Sequence, residues 1–211
     1  MFQALYQSPW HHPVAFWAVQ ALVLLLILLK PRRRLRSLFV GFLCAIAIDA
    51  WCSANGGLSP LRDKSLLAFS GFFFVVLGDL RFFVLVAWRD KPEVKPMLGA
   101  VGLAVIVPIA SSVAIYTHPD NSRVLYLTYE LMFAVLACVM RWVVVPRMAG
   151  VDRSWLQKLC TFEIVQYALW ASADVIILMG HDVGFALRLV PNFMYYGAFV
   201  PFAYFSQTKT A

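Results

Sequence analysis

Seven apolar runs, at about 13–30, 37–55, 65–88, 97–117, 123–146, 156–180 and 184–206, take up most of this 211-residue sequence. A helix needs roughly 20 mostly apolar residues to cross a bilayer, and each run is close to or above that length. Charged residues make up 14% of the chain and hydrophobic ones 62%, whereas a soluble domain carries roughly a quarter charged residues. The sequence therefore predicts an all-α polytopic membrane protein with seven transmembrane helices. It forms a single domain over 1–211, with short connections that make neighbouring helices antiparallel.

The net charge of +7 is distributed in a way that argues against nucleic acid as a partner. Thirteen basic residues fall on one side: Lys30, Arg32, Arg33, Arg34, Arg36, Arg89, Lys91, Lys95, Arg141, Arg147, Arg153, Lys158 and Lys209. Four (Arg62, Lys64, Arg123, Arg188) fall on the other. The positive-inside rule makes the first side cytoplasmic, with the N-terminus outside and the C-terminus inside. The expected location is the cell (inner or plasma) membrane. The opening MFQALYQSPWHHP has no basic segment ahead of the first run, which predicts a retained N-out helix rather than a signal peptide. Cys44, Cys52, Cys138 and Cys160 show no metal spacing and read as packing residues. His11, His12, His118 and His181 have no partner at metal-ligand spacing, so neither metal nor cofactor is expected.

Polar residues interrupt the lipid pattern in an ordered way. In FEIVQYALWASADV (162–175), Glu163, Gln166, Tyr167, Trp170 and Asp174 recur at i, i+3, i+4, i+7 and i+11. At helical spacing they share an arc of roughly 100°. Val165, Ala168, Leu169, Ser172 and Ile176 fill the opposite side. Two further stripes combine aromatic and polar members: Tyr126, Tyr129, Glu130 and Phe133, and Arg188, Asn192, Tyr195 and Phe199.

Asp49, Asp79, Arg81, Glu130, Glu163 and Asp174 all fall inside apolar runs. Each charged group at mid-membrane costs roughly 2.5–3.5 kcal/mol, so such residues face a bundle interior or wet cavity and mark ion or substrate paths. The plainer alternative is a buried polar network that fixes helix packing. Asp79 and Arg81 stand at i,i+2 and point to different sides, so Arg81 must find its partner on another helix or reach toward the cytoplasm. Asp79, near mid-run, is a candidate proton acceptor. Glu163 and Asp174 lie about 16 Å apart along one helix, at two ends of a polar track.

The runs also suggest an internal repeat. Asp49 and Asp174 occupy equivalent places in runs two and six, and GDLRFF (78–83) aligns with PNFMYY (191–196). The two halves would be 13–88 and 123–206, with 97–117 as linker in a parallel 3+1+3 pattern. Chance alignment of apolar segments is the alternative.

Three families share parts of this pattern. The 3+1+3 order is similar to SWEET, PQ-loop and vitamin transporters, although no Pro-Gln pair occurs in the runs. LWASADVIILMG (169–180) resembles the sixth helix of microbial rhodopsins, with Trp170 matching and Ala173, Asp174 and Ile177 replacing Tyr, Pro and Trp. That family holds retinal on a lysine of its seventh helix. No lysine lies within 184–206, and Tyr196 falls near its place, so a retinal Schiff base is ruled out. Leu77-Gly78-Asp79 resembles the Gly-x-Gly-Asp of intramembrane aspartyl proteases, with Val76 where the first glycine belongs.

The leading functional expectation is a transporter of a small cationic or amphiphilic solute, coupled to protons. Its ligand and proton pathway would use Asp49, Asp79, Glu130, Glu163, Gln166, Tyr167, Trp170, Asp174, Asn192, Tyr195 and Tyr196. Carboxylates in apolar surroundings can bind cations or exchange protons. The alternatives are a non-retinal seven-helix receptor or sensor, and an intramembrane hydrolase or lipid-modifying enzyme using paired carboxylates. The last requires two of Asp49, Asp79 and Asp174 to converge. Expected partners are the lipid bilayer and a small molecule or lipid in the bundle core, and the sequence leaves a homo-oligomer open.

Overall fold

A computed structural model of the chain describes residues 1–29, 35–55, 57–88, 93–114 and 121–207. Lys30, Arg32, Arg33, Arg34, Arg89, Lys91, His118 and Lys209, which enter the charge and histidine arguments, lie outside the described residues. Among the described residues all regular structure is helical. The elements are α1 (Phe2–Tyr6), a bent turn (Trp10–Ala15) entering α2 (Phe16–Leu29), α3 (Arg36–Cys52), α4 (Lys64–Ala87) and α5 (Val94–Ser111). They continue with α6 (Ser122–Val139), extended by a π turn (Met140–Val144) and a 3-10 turn (Val145–Arg147), and α7 (Arg153–Leu178). A last helical run comprises α8 (Val183–Phe193), a π turn (Met194–Ala198) and α9 (Phe199–Phe205).

Five helices among the described residues are long and apolar enough to cross a membrane: Trp10–Leu29, Phe69–Ala87, Val94–Ser111, Arg123–Arg147 and Arg153–Leu178. The second and seventh expected runs are also helical but differ from the other five. The first of them, α3, has 17 residues and ends at Cys52. Arg188, Asn192 and a row of tyrosines dilute the last run, and the π turn divides it.

Sequence chemistry explains where the helices begin and end. Asp63 caps α4 by accepting from the Ser65 and Leu66 amides, Asn121 caps α6 from Arg123, and Asp152 caps α7 from Trp155. Each carboxylate or amide oxygen takes up donors that a helix start leaves unpaired. At the other end of α7, Gly180 adopts φ +86°. Its amide donates to Ile177 O and that of His181 to Ile176 O, which is the paired stop that favours glycine. This closes a tight α7–α8 hairpin. Ahead of α2, His12 is extended (φ −141°, ψ 111°), as a residue before proline is driven to be.

Each long helix packs on its sequence neighbour: α2 on α3, α3 on α4, and so on to α7 on α8. The final π turn returns to α2 and α3, closing a ring, and α4 reaches α7 across it. Burial is inverted relative to a soluble protein. Asp49, Asp79, Arg81, Glu130, Glu163 and Asp174 are buried, while Leu22, Leu25, Leu28, Leu98, Ile106, Ile109 and Val135 are exposed. An apolar exterior around a polar interior is what a bilayer selects, and the protein is a multi-pass membrane protein on that pattern. The interior also holds packed aromatic rings, with Phe39, Phe82, Phe83, Phe133, Tyr167 and Tyr204 almost fully enclosed.

Candidate functional site

The site is built on α7. All five polar residues of its stripe, Glu163, Gln166, Tyr167, Trp170 and Asp174, are buried, and Val165, Ala168 and Ser172 on the opposite face are exposed. The stripe meets α4, α6 and the last helical run in three places.

In the middle, α7 and α6 together hold Asp79 of α4. The Tyr129 hydroxyl donates to both carboxylate oxygens (2.7 and 2.8 Å), and the Tyr167 hydroxyl donates to Oδ1 at 2.7 Å. The two hydroxyls are 3.0 Å apart. Phe133 fixes the Tyr167 ring by stacking, with centroids 4.1 Å apart. Elsewhere on α4, Phe83 is buried while Phe72 is exposed.

Toward the α7–α8 turn lies a charged quartet. Arg188 of α8 donates through one terminal nitrogen to Glu130 Oε1 (3.2 Å) and to Asp174 Oδ1. Arg123 donates to the same Asp174 oxygen at 3.0 Å. Two guanidinium groups thus balance two carboxylates. The remaining oxygens, Glu130 Oε2 and Asp174 Oδ2, are buried without a hydrogen-bond partner among the described residues. The Nε of Arg188 donates to the Tyr6 hydroxyl at 3.1 Å, bringing α1 into the cluster. Tyr126 of the α6 stripe is largely exposed and meets the Arg188 guanidinium only at 6.0 Å from its ring centroid.

Two residues along α4 from Asp79, Arg81 is buried, and among the described residues its hydrogen bonds go to backbone. It donates to Gly78 O (3.1 Å) and to Tyr195 O (3.3 Å), and its guanidinium lies over the Tyr195 and Phe199 rings. The π turn explains why that carbonyl is free. The Phe199 amide donates to Met194 O, five residues back, instead of to Tyr195 O, four residues back. Arg81 takes the Tyr195 carbonyl, and Gln20 of α2 takes that of Tyr196 at 3.1 Å. The same turn presents Tyr195 and Tyr196 toward Asp49, whose Oδ1 also accepts from Ser53 at 3.4 Å. Asp49, Gly78, Arg81 and Tyr195 line a cavity of about 10 Å³, room for one water. Any Cβ at Gly78 would collide with the Tyr195 ring, so glycine lets that ring lie against α4.

Arg81 is the one guanidinium, among the described residues, whose charge reaches Asp49, Asp79 and Glu163. Between this region and the quartet, Trp170 Nε1 donates to Asn192 Oδ1 at 2.8 Å. Among the described residues no hydrogen bond joins any two of Asp49, Asp79 and Asp174, each being engaged by different partners. No group of three metal-ligating side chains comes together among them either.

Outside the apolar core, Asp182 in the α7–α8 turn accepts from the Met1 ammonium (2.9 Å) and from the Phe2 and Gln3 amides (2.8 Å each). These donors, the ammonium above all, hold its carboxyl well below the ordinary value, at about 2.

Of the residues expected to line the pathway, Asp49, Asp79, Glu130, Tyr167, Trp170, Asp174, Asn192, Tyr195 and Tyr196 enter these contacts, whereas Glu163 and Gln166 are buried on the same face of α7 without a hydrogen bond to them among the described residues. Arg123 and Tyr6 were missing from that expectation. Arg123 reads in sequence as an orienting loop charge, and Tyr6 stands in a short segment with no periodic signal. Comparison with protein-family models, with curated proteins and with solved structures yields no match.

Proposed function

We propose that this protein is a seven-helix transporter of a small solute, coupled to protons through carboxyls in the bundle core. Its N-terminus would lie outside and its C-terminus in the cytoplasm, with the two halves arranged as a parallel 3+1+3 repeat. The observation that carries the coupling is an imbalance of charge. The quartet pairs two carboxylates with two guanidinium groups, whereas among the described residues Arg81 is the one guanidinium set against Asp49, Asp79 and Glu163. Uncompensated charge is costly in such surroundings, so the trio requires protons or a bound cation for neutrality. Asp79 is the coupling group in this reading, because two hydroxyls can re-orient to serve it with or without its proton.

The test is uptake of small cationic and amphiphilic solutes into proteoliposomes under an imposed pH gradient. Uptake should follow the gradient, and Asp79→Asn should uncouple it. Uptake indifferent to both would remove the coupling. Saturable solute binding without any uptake would favour the receptor reading. A cysteine placed at Asp182 should react with an impermeant reagent from outside only.

A further inference from the structure

The first eight residues do something that neither span architecture nor proton coupling requires. They form a short helix, α1, whose start is capped from the far end of the chain by Asp182. Its last residue, Tyr6, points its hydroxyl at Arg188 Nε. The Tyr6 ring rests against Phe185 and His11, with centroids 5.6 and 5.2 Å away. Its carbonyl is held by Asn55 at 3.0 Å. The segment thus fills one end of the bundle, and its tyrosine is the only group of the segment to reach the buried quartet.

Tyr6 meets the quartet at Arg188, and the quartet has acceptors still open. The Arg188 Nε–H takes the Tyr6 hydroxyl as its acceptor and would need another if Tyr6 left. Glu130 Oε2 and Asp174 Oδ2, both enclosed, lack donors among the described residues. Unpaired buried acceptors are costly, and a ligand that supplied a donor would recover that cost. The quartet is already neutral, so the ligand it suits is uncharged. The group that accepts from Arg188 Nε is a phenol.

We propose that Arg188, Glu130 and Asp174 form a binding site for a small uncharged phenol, for which Tyr6 is a built-in competitor held in place by Asp182. A catechol fits best, because one hydroxyl can accept from Arg188 while its neighbour donates to a free carboxylate oxygen. The proposal rests on the transporter reading for its purpose, as a solute entry site, but binding can be measured without transport. Failure to bind leaves proton-coupled uptake untouched, and binding without uptake removes only the transporter.

The experiment measures equilibrium binding of 4-methylcatechol, p-cresol and toluene to the purified full chain in nanodiscs. It compares wild type with Asp182→Ala, which releases the cap at an exposed turn, and Tyr6→Phe, which keeps the ring and removes the competing hydroxyl. Both variants should bind the phenols about tenfold more tightly than wild type, since a competitor's occupancy divides the apparent affinity. In each protein 4-methylcatechol should exceed p-cresol by about fivefold, the worth of one net hydrogen bond, and toluene should bind least. Phenol binding should also raise amide exchange at Phe2 and Gln3. Equal affinity in wild type and Asp182→Ala, equal affinity for p-cresol and toluene, or no binding in any protein would overturn the proposal. Should Tyr6→Phe fail to fold, Asp182→Ala alone decides it, because that position lies outside the core.

Discussion

Tyr167 and Asp79, 88 residues apart in sequence, are joined by a 2.7 Å hydrogen bond in the centre of the bundle. Tyr129 completes the arrangement from α6, so one carboxylate ties three helices together. Tyr167→Phe retains the stack on Phe133 and removes a single donor, and Tyr129→Phe does the same from the other side. Each should cost about 1–2 kcal/mol, the range for a buried hydrogen bond. The double variant leaves Asp79 with no donor from either tyrosine and should cost more than the sum, because each hydroxyl covers for loss of the other. Thermal unfolding of the four proteins in one detergent measures this, and strict additivity would mean that the tyrosines act independently.

Arg188 gives a sharper contrast. Its guanidinium holds Glu130 and Asp174 together in a region closed to water. Arg188→Met should destabilise by about 3–5 kcal/mol, since it strands buried charge rather than merely losing a contact. Adding Glu130→Gln alone removes the stranded charge, because Arg123 still pairs with Asp174. Most of the stability should return in that double variant, as read by the unfolding midpoint. A double variant as unstable as Arg188→Met would assign the loss to packing of the arginine stem instead.

These contacts also show why part of the site was legible and part was not. The α7 stripe was visible because a helix repeats on a fixed angle, so Glu163, Gln166, Tyr167, Trp170 and Asp174 must share a face whatever the tertiary structure. Its buried orientation followed from the cost of polar groups in lipid. Which carboxylate meets which partner depends on how helices are placed round the ring, and no local pattern encodes that. Arg81 was expected to find a partner on another helix or to reach toward the cytoplasm; it does meet the last helical run, but through the Tyr195 carbonyl at the π turn (194–198) rather than through a side chain. No local pattern marks the turn itself, which lies between Pro191 and Pro201. Tyr6 was invisible for a different reason: five helical residues carry no periodicity, and their place is fixed by Asp182 from the other end of the chain.

The α7–α8 hairpin should be intolerant of a single methyl group. A Cβ at Gly184 would lie 2.7 Å from Ile177 Cγ1, 2.8 Å from the Ala173 carbonyl and 2.9 Å from the Ile177 amide nitrogen. Two of these are backbone atoms that cannot step aside, so Gly184→Ala should cost about 1–3 kcal/mol through overpacking. Gly41 in α3 has nothing within 4 Å of an added Cβ. Gly41→Ala should therefore be neutral or gain up to about 1 kcal/mol from helix propensity. Comparing the two unfolding midpoints separates a packing role from the general preference of helices for alanine.

The cap on α1 should respond to acid in a definite direction. Asp182 is held at about 2, below the ordinary carboxylate value, by donors that exist only when α1 is docked. A carboxyl depressed in the folded state contributes stability that is fully present above its unfolded value, near 4. That contribution fades as pH falls from there toward 2, so the docked segment should persist at neutral pH and loosen only in strong acid. Amide nitrogen shifts of Phe2 and Gln3 should titrate with a midpoint near 2 in wild type, where Asp182 accepts from both, and show no such step in Asp182→Ala. A midpoint near 4 in wild type would mean that the carboxyl does not hold the segment in solution, and Tyr6 would then have no latch to keep it on Arg188.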